Sequence, residues 1–390
     1  MPKHFFEYLQ KHSNAKIEIL DRYYIPWLRK ITLGPFNENK CLVIDGFAGE
    51  GIYEDGSEGS PIKLIDGAIG LAEQNIRSSR PLPKVTIFLI EGTEEIYKKL
   101  YKNILTKYDC KVDENGIINL INYPTIRILI FNDGFENVMN AILDKYEGSL
   151  IPSFFFADPF GFSNTPFDIF KRFLKNNKAE ILFNFMYEEI NRFILSDRSP
   201  KLVKTYENLF GVPNLDELRE QIADKNAPLR KETIINYYSK QLLEKTEAKY
   251  VLNFEFKKRG KTKMFLVYAT KNINGLALMK DVMWKVDETG AFLYDDRKSD
   301  AQIQFEFFNE LTKQEHIDKL SKLIYENFRN RHKVDLTTVE RFVLENTIYP
   351  STNYFKPAMA KLEKEDFITV IRKEGARKSS FNEKVLYINF

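Results

Sequence analysis

Four short segments carry residue types whose spacing could hold a small ligand and an acceptor group. The first is Val43-Ile44-Asp45-Gly46-Phe47-Ala48-Gly49-Glu50-Gly51, a D-x-F-x-G-x-G pattern closing an apolar run. Gly49 and Gly51 permit positive φ and let the backbone come close to a ligand. The second, Leu89-Ile90-Glu91, ends another apolar run in an acid that can accept hydrogen bonds from two neighbouring hydroxyls. In the third, Asn132-Asp133-Gly134, an amide and an acid follow an apolar run at a turn. The fourth is Phe155-Phe156-Ala157-Asp158-Pro159-Phe160-Gly161. There Asp158 closes the apolar run and opens a Pro-Phe-Gly turn. Phe160 could stack on a flipped base. Taken singly, each segment also reads as a plain glycine turn, a solvated strand-end acid or an Asp-Gly turn. Together they fall after successive strands.

Those strands are apolar runs at 41–45, 85–91, 126–131, 153–158 and 179–185. Helix-like stretches near 60–77, 94–108, 135–146 and 166–175 separate them. Uninterrupted apolar strands alternating with helices predict a parallel sheet buried on both faces. Right-handed crossovers make it a doubly wound α/β, Rossmann-like sheet, with ligands at the carboxyl ends of its strands. Gly59-Ser60-Pro61 reads as a helix start, with Ser60 as cap and Pro61 at the first helical position. Residues 1–35 form a helical lead-in in which Pro26 should kink or restart the helix. The charged segment 187–248 is too long for a crossover and reads as a helical insertion or cap. Runs 250–257 and 263–270, joined by KRGKT, suit a hairpin that ends the mainly parallel sheet in an antiparallel pair. After them come a helix at 275–289 and a polar linker at 291–305. The expected domains are the lead-in 1–35, an α/β domain 36–300 and a module 310–390.

Lys+Arg 58 against Asp+Glu 55 leaves a formal charge of +3, so the chain is no bulk polyanion binder and nucleic-acid contact needs a local patch. The C-terminal module supplies one. Three helical patterns (315–330, 335–346, 352–365) precede two strands (367–372, 384–390), the order of a winged helix. Its wing, 371–380, carries Arg372, Lys373, Arg377 and Lys378 against Glu374. These four are the candidate nucleic-acid contacts; a solvated wing or a protein-docking module is the alternative. Two cysteines exclude a disulfide scaffold and a cysteine-rich metal site, and four histidines make no metal-binding pair, so no metal is expected. With no apolar run of about 18 residues and no apolar leader, neither a membrane span nor a signal peptide is expected, and a cytoplasmic location is the default.

The D-x-F-x-G-x-G turn resembles motif I of class I S-adenosylmethionine-dependent methyltransferases. It departs from a dinucleotide fingerprint, whose third glycine position holds Glu54, and from a P-loop, whose lysine is missing. ADPFG resembles the D-P-P-Y-type corner of amino-methyltransferases, with Phe160 at the second Pro and Gly161 at the Tyr. DGFAGEG, EGSP, IEG, ADPFG and LVYATKNINGLALMKDVMWKVD together resemble the three-Cys-motif partner family (TcmP), over roughly residues 1–290 and into the winged helix. These prokaryotic, phage-associated proteins are methyltransferase-like and neighbour a radical-SAM-like three-cysteine protein. The resemblance implies a seven-stranded class I methyltransferase-like sheet and S-adenosylmethionine as cofactor. Asp45, Phe47, Gly49, Gly51, Glu91, Asn132 and Asp133 would bind that cofactor, and Asp158, Pro159 and Phe160 would position the acceptor. Gly46 and Glu50 depart from the family's Leu and Pro; Glu50 would either bind the cofactor's ammonium or weaken binding. The resemblance admits two functions: methyl transfer to a nucleic-acid acceptor, or a catalytically degenerate adaptor that partners the three-cysteine protein.

Overall fold

The structure, a computed structural model, describes residues 3–33, 39–163, 165–195, 199–287, 292–295 and 305–390. It divides into two compact units, Met1–Gly275 and Leu276–Phe390. The expected linker 291–305 lies largely outside the described residues. The boundary falls within helix α10 (Ile273–Val286), earlier than the expected end of the α/β domain at 300. The physical reason is that α10 packs against residues of the C-terminal unit. Trp284 Nε1 donates to Tyr354 Oη, and the buried Lys280 ammonium donates to the carbonyls of Leu344 and Thr347.

In the first unit five parallel strands form the centre of the sheet, in the order β5 (Ile126–Phe131), β2 (Lys84–Ile90), β1 (Lys40–Asp45), β6 (Ser153–Ala157) and β7 (Ala179–Phe185). Helices α2 (Ser60–Arg77), α3 (Glu94–Lys107), α4 (Phe135–Tyr146) and α5 (Phe167–Leu174) make the crossovers. Every residue of β6 and β7 is buried, as strands covered on both faces require. Past β7 the sheet turns antiparallel through β9 (Lys261–Thr270) and β8 (Tyr250–Lys258). These seven strands are the arrangement that the apolar runs predict. A short hairpin, β3 (Cys110–Val112) and β4 (Ile118–Leu120), extends the sheet beside β5. Its three-residue strands were too short to read as periodic patterns.

The lead-in is one continuous helix, α1 (Lys3–Leu33), assigned through Pro26 without a break. It is part of the core: Tyr23, Tyr24 and Trp27 lie on Phe154 of β6 with ring centroids 5.6, 6.2 and 5.5 Å away. Tyr23 and Tyr268 hydroxyls donate to the buried Glu180 carboxylate. Burial raises the Glu180 pKa, so its placement depends on these hydroxyls. The insertion is helical, comprising α6 (Tyr187–Phe193), α7 (Pro200–Phe210), α8 (Asp216–Ile222) and α9 (Ala227–Lys245). It is bolted to the sheet by aromatic contacts, with Tyr238 of α9 packing on Phe183 and Phe185 of β7 at 5.6 and 4.7 Å.

The second unit holds β10 (Leu293–Asp295), α11 (Phe305–Phe328), α12 (Leu336–Asn346), a π-helical turn (Ser351–Phe355), α13 (Lys356–Lys364), and the hairpin β11 (Thr369–Arg372) and β12 (Val385–Asn389). A bridge from Val334 to Ile388 adds the third edge of a winged helix-turn-helix. Among the described residues no helix is long and apolar enough to cross a membrane.

Candidate functional site

The strand order reverses its progress across the sheet between β1 and β6, which opens a crevice at their carboxyl ends. The loop after β1 is fixed there by its backbone. Gly46 N–H donates to Phe156 O and Ala48 N–H to Ile90 O, both at 2.9 Å. Gly49 and Gly51 have φ of +63° and +74°. A Cβ on Gly51 would stand 2.9 Å from Leu100 Cδ1, whereas one on Gly49 would meet only Tyr53 Oη, at 3.7 Å. Gly51 is therefore closed in by α3, and Gly49 is the open face of the turn.

Two acids sit behind that face. Glu91, 8% exposed, accepts from Gly49 N at 3.1 Å through Oε2 and from Thr93 N at 2.8 Å through Oε1. This holds the carboxylate still and leaves lone pairs for ligand hydroxyls. Asp45 is fully buried; its Oδ1 accepts from Phe47 N at 3.2 Å, and its Oδ2 has no partner among the described residues. Burial pushes its pKa up to about 7, with the neighbouring Ser60 hydroxyl and the Phe47 N–H opposing and the charges of Asp158 and Glu91 adding. A buried, unpaired acceptor among acids is an electrostatic vacancy for a cationic donor. Half-exposed Tyr53 lies along the same turn; burial and then Asp158 and Asp45 raise its pKa to about 12.

Several expected ligand contacts also have partners within the protein. Phe47 packs on Phe135 of α4 at 5.0 Å, so it is a packing residue of the turn. The Glu50 carboxylate turns to Lys99 of α3 at 2.9 Å, and Asn103 bonds the Glu50 carbonyl at 2.8 Å. Asn132 and Asp133 are both exposed beyond β5. Asp133 Oδ1 accepts from Gly134 N at 2.6 Å and from Asn137 Nδ2 at 2.9 Å, which fixes the start of α4.

At the β6 end, Asp158 is gripped from two directions. Asn184 of β7 donates to its Oδ1, and Lys16 of α1 donates to its Oδ2. The Lys16 side chain is 9% exposed and that of Asp158 is 32% exposed. Pro159 is buried, while Phe160 projects with 86% of its surface exposed. Gly161 lies against α6, where an added Cβ would be 3.3 Å from Glu189 Oε2.

Lys16 and Asn184 are the residues the motifs did not point to. Lys16 shares one stripe of α1 with Leu20, Tyr23 and Trp27, at spacings of 4, 7 and 11. Seven helical residues span about 10 Å, close to the roughly 13 Å from Phe154 to Asp158 along β6. Docking Tyr23 beside Phe154 thus delivers Lys16 to Asp158. A lysine within an apolar stripe is the only sequence signal for this, and it names no partner.

In the second unit the wing separates its four cations. Arg372 is bidentate to Glu363 at 2.5 and 2.7 Å and lies over the Phe381 ring, 5.2 Å from its centroid. With its side chain 9% exposed, it braces the wing against α13 and is withdrawn from the surface. Lys373, Arg377 and Lys378 are exposed.

Residues 293–375 match the family model described as "GMT-like wHTH domain". No curated protein matches the chain. Among solved structures, the chain is similar to Trm1 from Pyrococcus horikoshii in complex with S-adenosyl-L-methionine: 14% identity over 67% of this chain and 58% of that one, TM-score 0.35. It is also similar to the O-methyltransferase TomG from Streptomyces achromogenes in complex with SAM (11% identity, 66% of this chain, 80% of that one, TM-score 0.33). A third similar structure is the delta-N METTL16 MTase domain (14%, 65%, 83%, TM-score 0.27). The strand order and its switch point establish a Rossmann-like, methyltransferase-type fold followed by a winged helix-turn-helix.

Proposed function

We propose that the first unit binds S-adenosylmethionine and transfers its methyl group to a nucleic-acid acceptor. The observation that carries this reading is the acceptor set around the glycine turn. Buried Asp45 with its unpaired Oδ2, anchored Glu91 and outlying Asp133 can each accept a hydrogen bond. The cofactor offers what they lack: an ammonium, two ribose hydroxyls and an adenine amine. Gly49 would present its open backbone to the methionine end and Asp45 would pair with the ammonium. Glu91 would take the ribose, and Asn132 and Asp133 the adenine edge. The bound cofactor supplies an electrophilic methyl; the protein's part is to bind, orient and exclude water.

Asp158 would position the acceptor, with Pro159 shaping the corner and Phe160 stacking on a base. Its carboxylate already takes hydrogen bonds from Lys16 and Asn184. Among the described residues the Lys16 ammonium has one partner and two N–H groups to spare. Those donors suit an acceptor oxygen better than an amine, whose own N–H groups would oppose them. The winged helix-turn-helix would add nucleic-acid contacts through Lys373, Arg377 and Lys378. Isothermal titration with S-adenosylmethionine tests the reading. Saturable heat is expected, and no heat at millimolar ligand with folded protein would sink it.

The second reading is a degenerate adaptor that partners a radical-SAM-like three-cysteine protein, as the three-Cys-motif partner resemblance suggests. The occupied Asp158 carboxylate favours it. It predicts that Asp158→Ala preserves biological activity while charge reversal of Arg377 and Lys378 abolishes it.

A further inference from the structure

Residues 257–263, KKRGKTK, place five cations in seven residues with no acid among them, denser than the wing. They form the turn between β8 and β9, with Arg259 and Gly260 both at positive φ (+51° and +78°). Because β9 runs antiparallel to β7, with Phe185 opposite Phe265, this turn extends beyond the carboxyl end of β7. That is the edge carrying Asp158. The link is made by neighbouring side chains: Lys263 pairs with Glu188 at the start of α6, and the adjoining Glu189 lies against Gly161 of the Asp158 corner.

Helix α9 adds to the same surface. Lys231 pairs with Glu255 of β8 at 2.9 Å, and buried Arg230 Nε has no partner among the described residues. The acids facing the turn are Glu255, Glu188 and Glu189; the first two are each held by a lysine. Lys257 also reaches Glu255, at 3.9 Å; Lys258, Arg259 and Lys261 lie farther along, and Arg259 and Lys261 are exposed. From Phe265 to the tip is about five residues, or roughly 16 Å of strand. A backbone of a few nucleotides fits that length.

We infer that the β8–β9 turn is a binding site for the phosphate backbone of a single-stranded nucleic acid, leading the strand toward Phe160. Closely spaced cations neutralise phosphates and release counterions, which gives affinity without base reading. An exposed aromatic beside such a track stacks a base. The inference deepens the proposed nucleic-acid acceptor, but it concerns binding alone, so it stands or falls apart from methyl transfer.

The test is fluorescence anisotropy on the full chain with labelled 20-nucleotide DNA and RNA strands over a salt series, with melting curves as the folding control. Wild type should bind at least one of the strands. In the triple variant Lys258→Gln, Arg259→Gln, Lys261→Gln, affinity should fall at least tenfold. The slope of log affinity against log salt should shrink by about 2, three phosphates at about 0.7 each. Arg377→Gln with Lys378→Gln should cost less. Phe160→Ala should weaken binding with the salt slope unchanged. Unchanged affinity and slope in the triple variant would overturn the inference, as would absent binding by wild type. Polyglutamate binding as tightly as both strands would overturn it too, since the turn would then be an acidic-protein contact. Binding that meets these expectations in a protein giving no heat with S-adenosylmethionine would support the site while removing the methyltransferase reading.

Discussion

The glycine-turn side and the Asp158 side of the crevice are built by different means. Around β1 and β2 the groups are fixed by backbone N–H groups: Glu91 by those of Gly49 and Thr93, Asp45 by that of Phe47. Around β6 the group is fixed by side chains of two other elements, Asn184 of β7 and Lys16 of α1, the latter 142 residues from Asp158. The first arrangement leaves an acceptor unpaired and waiting; the second satisfies its acid in advance. A preset glycine corner suits a constant ligand, and an acid shared with a separate helix suits a site whose occupant is chosen elsewhere.

That contrast can be broken by substitution, and the largest effect is expected at Gly51. Gly51→Val combines a left-handed backbone, worth about 1–3 kcal/mol of strain, with a clash on Leu100. A lower Tm and loss of titration heat with S-adenosylmethionine are expected; Gly49→Val should cost only the strain in Tm, while its side chain on the open face of the turn also removes the titration heat. Next, Asp45→Asn should weaken ligand binding by roughly ten- to hundredfold, the value of a hydrogen bond to a charged group, without lowering Tm. An unlowered Tm accords with the sign of the shift. A carboxyl whose folded pKa is raised to about 7 binds more protons folded than unfolded. Its contribution to stability therefore falls as pH rises from about 4 to 7. A cationic ligand favours the ionised form, so wild-type affinity should climb with pH to about 7 and level off, and Asp45→Asn should flatten that climb.

Lys16→Met addresses the other side. It should cost about 1–3 kcal/mol in denaturant melts, less than a fully buried pair because Asp158 is partly exposed. Titration heat with the cofactor should stay within about threefold of wild type. Equal losses of ligand binding in Lys16→Met and Asp45→Asn would erase the distinction between the two sides. The smallest effect is expected in the second unit. Burial lowers Lys280 to about 8, so the unfolded chain holds its proton over a pH range where the folded one does not. The Trp284 melting transition, read in a Trp27→Phe background, should rise between pH 8 and 10.5, and Lys280→Met should abolish the rise.

Much of the frame was legible because its cause is local. β6 and β7 are continuous apolar runs since they are buried on both faces, and helices at 60–77 and 135–146 are set by periodicity and their flanking Gly, Ser and Pro. Short edge strands such as β3 and β4 leave no such trace. Of the two outcomes expected at Pro26, a restart does not occur: α1 runs on through it, because packing on Phe154 holds the helix on both sides. Charge counts misled: Arg372 counts as a wing cation, yet Glu363 and Phe381 absorb it.

The sequence by itself determined the sheet, the crevice edge and the identity of its acids, since each rests on residues within one strand and its succeeding turn. Tertiary structure alone decided which of those groups are open. Whether Asp45 keeps an unpaired oxygen, Glu50 turns to Lys99 or Asp158 meets Lys16 depends on elements far apart in the chain. Desolvation and pairing act through space, and spacing along the chain does not encode them.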